Sequence, residues 1–159
     1  MRELTAERLR DVLSYDPETG VFMWLGGPRK GRPAGSLNGI GYVQIKLEKA
    51  GFSAHRLAWL YTHGEWPPQD IDHINGVRND NRISNLRTVS RRVNIQNIRS
   101  PRVDNRSSGM LGVEARGRRF RARIQVDGAV VSVGNFATAT EAHHAYVEAK
   151  RKLHEGCTI

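Results

Sequence analysis

The chain has 159 residues, of which 38% are hydrophobic, enough for one ordinary domain or two small ones but not for a large core. No apolar run is long enough for a transmembrane helix, and the charged N-terminal stretch lacks the apolar core of a signal peptide. The single cysteine, Cys157, excludes an internal disulfide and a zinc–cysteine cluster. We therefore expect a cytoplasmic protein without a membrane partner.

The net charge of +9 favours a polyanionic partner, of which nucleic acid is the commonest. A basic protein without such a partner is the alternative. The distribution of charge is more specific, because residues 116–123 read RGRRFRAR and contain five arginines and no acid.

The N-terminal half alternates between predicted helices, strands and turns. Hydrophobic spacing predicts a helix over residues 5–14 with Thr5 as its N-cap, a turn at 15–20 and a strand at 21–24. Residues 26–39, rich in glycine and proline, are predicted as loop, and residues 42–48 alternate as a half-buried strand does. We expect Gly51 in a turn, followed by a helix over 54–64 that Gly64 ends.

Residues 70–97 predict a ββα unit. A short strand is followed by a polar loop, a second short strand near Leu86–Val89 and a helix for which Ser90 is a good N-cap. Residues 99–108 are polar and contain few apolar side chains, so they are predicted as a linker.

The C-terminal part predicts three strands and a helix. Strands are expected in LGVEAR, RFRARIQV and VVSVGNF, and the Asp127-Gly128 pair predicts a hairpin turn between the last two. Thr138 and Glu141 have the spacing of a capping box, which starts a helix whose small alanine face can lie close to a sheet.

The ββα unit supplies the groups that phosphodiester hydrolysis requires. Asp72 offers a carboxylate, His73 an imidazole that can deprotonate water near neutral pH, and Asn85 and Asn94 offer amides. A hard divalent cation prefers carboxylate and amide oxygens. Taken alone, an Asp-His pair in an asparagine-rich segment is more often a plain polar loop.

The whole segment IDHINGVRNDNRISNLRTVSRRVNIQN resembles the HNH endonucleases of phages and introns, with the pattern D-H-I-x-G, then N-R-x-x-N-L-R, then an asparagine on the next helix. The upstream AHRLAWLYTHGEWP is also similar, so the resemblance covers most of residues 1–97. It implies that His73 is the general base, that Asp72 and Asn94 bind one catalytic metal, and that Asn85 braces the loop and orients His73. Magnesium is the expected ion, manganese could replace it, and no zinc is expected.

A second resemblance covers the C-terminal strands and helix. Gly112-Val113, the F-x-A-x-I of residues 120–124, VGNF and T-x-x-E-A-x-x-A-Y are similar to the DNA-binding domain of the Apetala-2/ethylene-response-factor class, which implies a sheet that reads the major groove. Glu114 and Ser132 depart from that pattern and leave the target sequence open. The side chains expected to contact DNA are Arg116, Arg118, Arg119, Arg121, Arg123 and Gln125.

Together these patterns predict an α+β chain in three parts. Residues 1–98 form an HNH ββα-metal nuclease unit with flanking strands and a helix, with the metal core at about 70–97. Residues 99–108 form the linker, and residues 109–159 form an Apetala-2-like three-stranded antiparallel sheet packed on one helix.

The resulting hypothesis is a monomeric, metal-dependent endonuclease acting on double-stranded DNA, phage-encoded and of the homing type. A DNA-binding regulator with an inactive HNH unit is the main alternative, and an RNA nuclease is a weaker one. His55 is expected to be structural rather than catalytic. The target sequence, and the choice between nicking and a double-strand break, are left open.

Overall fold

Four helices and several small antiparallel sheets make up the residues that the computed structural model describes, which are 4–99, 101, 105 and 107–158. The chain is therefore mixed α and β, and contacts divide it into two units, Met1–Arg91 and Arg92–Ile159. None of the helices in the described part is long and apolar enough to span a membrane.

The first unit contains two helices and three small sheets. Its elements are α1 (Ala6–Val12), β1 (Leu13–Asp16), β2 (Val21–Trp24), β3 (Ser36–Leu37), β4 (Val43–Leu47), β5 (Ala50–Ser53), α2 (Ala54–His63), β6 (Asp70–His73) and β7 (Leu86–Val89). The pairs β1–β2, β3–β4, β4–β5 and β6–β7 are all antiparallel. Helix α3 (Arg91–Gln96) follows β7, so the strand–strand–helix order predicted for residues 70–97 is present along the chain.

Two sequence expectations in this unit were wrong in detail. Helix α1 ends at Val12, and Ser14 lies in β1 instead of continuing the helix. Gly51 lies in β5, opposite Lys46, and not in a turn. The turn is made by Glu48 and Lys49, which both have positive φ (48° and 75°). This conformation suits the twist of a two-residue hairpin, but glutamate and lysine are not the residue types that predict it.

The core of the first unit joins α1 and α2 to the small sheets. Its fully buried side chains include Leu9 and Leu13 from the N-terminal segment, Phe22 from β2 and Ile45 from β4, together with Leu57 from α2. This core fixes the β1–β2 hairpin and α2, and both of these carry residues that reach the candidate site.

The second unit contains β8 (Val113–Arg116), β9 (Arg119–Val126), β10 (Ala129–Phe136) and α4 (Ala139–Leu153). The sheet is antiparallel in the order β10–β9–β8, and Asp127-Gly128 forms its second turn with both residues at positive φ, as predicted. The Thr138–Glu141 capping box is also present. Ala122 and Ile124 of β9 pack with Ala142 and Tyr146 of α4 in a separate core.

The division between the units falls after Arg91, earlier than the expected boundary at residue 98. Contacts within the second unit explain this position: Arg92 pairs with Asp127 and Glu155, and Lys150 donates to the carbonyl of Ile98. The expected linker at 99–108 lies partly outside the described residues. The assignment of functional domains stays a prediction.

Candidate active site

Asp72 and His73 are the last two residues of β6, and both are buried. In the register with β7, Asp72 lies opposite Arg87 and His73 lies opposite Leu86. Neighbouring residues of a strand point to opposite faces, so the two side chains enter different surroundings and can take different roles.

The imidazole of His73 has one nitrogen occupied by a hydrogen bond. Its Nε2 lies 3.3 Å from Oδ1 of Asn81. An amide oxygen can only accept, so Nε2 carries the hydrogen and Nδ1 carries the lone pair. Nδ1 is not among the buried atoms that lack a partner, and it therefore reaches the surface of the site.

Burial lowers the pKa of His73 below its usual range, while the Asn81 hydrogen bond and the Asp72 carboxylate act in the opposite direction. The ring is therefore neutral at physiological pH. A neutral imidazole with a free Nδ1 lone pair can accept a proton from water, which is the property a general base needs.

Asn81 is itself held firmly in place. It is 2% exposed, and its carbonyl accepts a hydrogen bond of 2.7 Å from the buried hydroxyl of Tyr15 in β1. Gly20, in the turn after β1, approaches so closely that a Cβ there would lie 2.5 Å from the backbone of Asn81 and Arg82. The β1–β2 hairpin therefore positions the residue that fixes the His73 ring.

Asn85 braces the polar loop between β6 and β7. Its Oδ1 accepts from the backbone amide of Asn75 at 2.9 Å, and its Nδ2 donates to the carbonyl of Asp80 at 2.8 Å. Asp80 is paired with Arg82 at 2.6 Å, which lowers the pKa of the carboxyl to about 2. The role of Asn85 in orienting His73 stays a prediction, and the hydrogen bond that the imidazole donates goes to Asn81.

Asp72 forms a partly buried ion pair across the two strands. Nε and Nη2 of Arg87 both contact its Oδ2, at 3.0 and 2.8 Å. A charged pair of this kind holds the carboxylate in one orientation beside His73. The pairing follows from the strand register, although the sequence analysis did not identify Arg87 as the partner.

Two further rings lie beside His73. The His55 ring, from the first turn of α2, is 5.2 Å from the His73 ring in an edge-on arrangement, and Tyr42 is 5.3 Å from His55 and 5.8 Å from His73. Burial, with the charges of His73 and Arg56, lowers the pKa of His55 to about 4. His55 was expected to be structural, and its position in the sequence gives no sign that its ring lies next to that of His73.

Residues 52–96 match the HNH endonuclease family. The matched segment contains Asp72, His73, Asn85 and Asn94, and it supports a nuclease domain that acts on nucleic acid. It covers less than a third of the chain and ends before β8. No curated protein and no solved structure matches the chain.

The histidine and acidic side chains of the HNH segment do not form a metal-binding cluster in the part of the chain that the structure describes. Among the residues that the structure describes, no group of three or more histidine, cysteine or acidic side chains is close enough to hold an ion. This is compatible with Mg²⁺, which often takes only one or two protein ligands and keeps several waters. Asp72 fits such a site, and Asn94, the fourth residue of α3, lies in the second unit.

Beyond the HNH segment, β9 presents two different faces. Ala122 and Ile124 are buried against α4, whereas Arg119, Arg123 and Gln125 are exposed, so the predicted alternation is confirmed. We call the open side of β8 and β9 the arginine face; its side chains are Arg116, Arg119, Arg121, Arg123, Gln125 and Glu114. Arg118 lies in the turn between the two strands.

Glu114 lies within the arginine face and contacts three of its arginines. The distances from its carboxylate are 2.9 Å to Arg121, 3.2 Å to Arg116 and 3.6 Å to Arg123. The Arg121 hydrogen bond lowers the pKa of Glu114. The face is therefore less positive than its arginine content suggests.

Proposed function

We propose that this protein is a metal-dependent endonuclease that hydrolyses phosphodiester bonds of double-stranded DNA. The main support is the His73–Asn81 hydrogen bond inside the segment that matches the HNH endonucleases, because it leaves Nδ1 of a neutral imidazole available as a base. The alternative, a DNA-binding regulator with an inactive HNH unit, does not require His73 to be held in one tautomer.

In the proposed reaction, Nδ1 of His73 takes a proton from water. The resulting hydroxide attacks phosphorus, a new P–O bond forms, and the bond from phosphorus to the 3′-oxygen breaks, so that the phosphate stays on the 5′ side and the leaving 3′-oxygen takes a proton from solvent. Asn81 keeps the proton on Nε2, and Arg87 keeps the Asp72 carboxylate in position. Asn85 keeps the loop between β6 and β7 closed.

Asp72 and Asn94 are the proposed protein ligands of one divalent cation, with Mg²⁺ expected and Mn²⁺ able to replace it. When bound, such an ion neutralises charge that develops on the phosphate. The absence of a structural zinc, the monomeric state, the phage origin and the homing-type role remain predictions.

Plasmid cleavage with Mg²⁺ or with EDTA tests the enzymatic proposal. We expect Mg²⁺-dependent nicking or linearisation by the native protein and a rate at least about a hundredfold lower for His73→Ala, because a positioned general base contributes about 10²–10⁴-fold. DNA binding should persist in this variant. His144→Ala, which removes an exposed histidine of α4, is the matched control and should cut normally.

Two outcomes would contradict the proposal. DNA binding without cleavage under any divalent metal would favour the regulator. Cleavage of a structured RNA but not of DNA would favour an RNA nuclease.

We also propose that the arginine face, with Arg118 beside it, contacts DNA, with some side chains on phosphates and others on base edges. Its exposed position on a sheet whose other side is covered by α4 supports this role. Arg121→Ala with Arg123→Ala should weaken binding and flatten its salt dependence. Lys30→Ala with Arg32→Ala removes two charges from an exposed loop of the first unit and should have a much smaller effect.

A further inference from the structure

His55 has one ring nitrogen in an unusual environment. Its Nδ1 is buried and has no hydrogen-bond partner among the described residues. Buried polar atoms are normally paired, so an unpaired one in a site needs a physical explanation. Nε2 of the same ring is not among the buried unpartnered atoms and therefore reaches solvent.

The environment of His55 selects one tautomer. Either neutral tautomer leaves the buried Nδ1 without a partner, but a buried N–H without an acceptor is rarer in proteins than an under-satisfied acceptor. This favours the hydrogen on Nε2, where water can accept it. The protonated ring would carry a hydrogen on both nitrogens, and its charge would lie in the first turn of α2, where the helix dipole disfavours a cation.

The neutral His55 ring lies directly beside the proposed base. The His55 and His73 rings meet edge-on at 5.2 Å, and Tyr42 packs against both. One ring presents a hydrogen-bond donor, Nε2–H of His55, and the other presents a lone pair, Nδ1 of His73. The two rings are therefore close enough for groups on both of them to reach one phosphate.

We propose that His55 is a second catalytic residue, whose neutral Nε2–H donates a hydrogen bond to a non-bridging oxygen of the scissile phosphate. This inference rests on the proposed nuclease function. No proton is transferred: the donor keeps its hydrogen and stabilises the negative charge that builds up as hydroxide attacks phosphorus. Removal of a single such donor typically lowers the rate about a hundredfold or more.

Two substitutions separate this role from a structural one. His55→Phe keeps a ring that can pack against Tyr42 and His73 but has no donor, whereas His55→Gln keeps an amide N–H. We expect single-turnover cleavage by His55→Phe to fall about a hundredfold, with DNA affinity in Ca²⁺ nearly unchanged, and His55→Gln to recover most of the rate. His63→Phe, at the exposed end of the same helix, should behave like the native protein.

A measurement that does not depend on activity accompanies the kinetics. The ¹⁵N signals of the His55 ring should show the Nε2–H tautomer, and the Nε2 signal should shift when a short DNA duplex is added in Ca²⁺. If His55→Phe cuts at the native rate, or if His55→Phe and His55→Gln are equally impaired, the proposed donor role is wrong. If the native protein cuts no nucleic acid, the nuclease proposal fails, and this inference fails with it.

Discussion

The His73 imidazole is oriented by Asn81, a residue of the motif to which the sequence patterns assigned no separate role. Asn79, Asn81 and Asn85 all lie in one polar stretch, and any of them is able to reach a histidine from a loop. Asn81 makes the contact because Tyr15 and Gly20, far away in the chain, fix its backbone. Such long-range support cannot be deduced from local spacing.

Asn81→Ala tests the importance of this contact. The variant should reduce single-turnover cleavage about tenfold to a hundredfold, the usual effect of losing a group that orients a functional histidine. The Tyr15 hydrogen bond is to the Asn81 backbone and should survive, so the fold should be retained. Asn79→Ala, with an exposed side chain, is the control. Native-like cleavage by Asn81→Ala would show that the hydrogen bond does not set the His73 tautomer.

The lowered pKa of His55 predicts a specific dependence of stability on pH. The unfolded chain binds a proton at His55 near pH 6.5, whereas the folded chain does so only near pH 4. The free energy of unfolding should therefore fall as pH decreases from 7 to 5, by about 2 kcal/mol from this residue.

Urea unfolding at pH 7 and pH 5 measures this contribution. His55→Gln does not titrate in this range, so its stability should decrease less than that of the native protein over the same interval. His73 contributes in the same direction in both proteins, which is why the difference between them isolates His55. Equal decreases would mean that His55 titrates normally in the folded chain.

At the scale of the elements, the sequence predicted best where a turn or cap residue gave a local signal. Gly64 ends α2 in the left-handed conformation, Asp127-Gly128 forms a hairpin turn, and Thr138 caps α4. Strands β6 and β7 and the alternation along β9 were predicted for the same reason, because each follows a short-range pattern.

The sequence was less informative where one element runs directly into another. No glycine or proline separates α1 from β1. The turn before β5 consists of glutamate and lysine, which do not predict a turn. In the candidate site, Asp72 and His73 were recognised from their motif, but the Arg87, Asn81 and His55 contacts depend on register and tertiary packing.

The turn of the β1–β2 hairpin supports the site directly, and Gly20→Ala tests that support. Both Gly20 (φ 72°) and Gly27 (φ 69°) have left-handed backbones, so replacement by alanine strains each by about 1–2 kcal/mol. Only the Gly20 Cβ would also meet backbone atoms, at 2.5 Å, whereas nothing lies within 4 Å at Gly27. Gly20→Ala should therefore lose about 2 kcal/mol more stability than Gly27→Ala and should also cut more slowly. Equal losses would indicate that the close approach relaxes without consequence.

The position of Glu114 on the arginine face predicts that this residue limits DNA affinity. Glu114→Gln removes the carboxylate that contacts three arginines, so DNA binding should strengthen at low salt and its logarithmic salt dependence should steepen by about one unit. Glu148→Gln removes the same charge from α4, where Glu148 pairs with Arg151. If both variants gain affinity equally, the effect is one of net charge and not of the arginine face.

Across the whole molecule, the excess of basic over acidic residues differs between the two units. Residues 1–91 contain thirteen basic and ten acidic side chains, whereas residues 92–159 contain twelve and six. The second, shorter unit therefore carries most of the net positive charge. This distribution favours attachment to DNA through the second unit and chemistry at the HNH segment.

Cleavage kinetics should separate these two contributions. Arg121→Ala with Arg123→Ala should raise the protein concentration needed for half-maximal cleavage, because phosphate contacts set affinity, but should leave the rate at saturation within about twofold. Lowering the salt should restore much of the loss. His73→Ala should remain slow at every concentration. A reduced saturating rate in the arginine variant would mean that its arginines also position the scissile bond.

The hydrogen bonds of Asn85 reduce the conformational entropy that the loop between β6 and β7 can lose when substrate binds. Ordering a flexible residue costs about 1–2 kcal/mol of backbone entropy, and the segment between β6 and β7 has only one short 3-10 turn. The two Asn85 hydrogen bonds and the Asp80–Arg82 pair already restrain this segment. If DNA binds here, the loop loses little conformational freedom on binding. More of the interaction energy then contributes to the affinity for the nucleic acid.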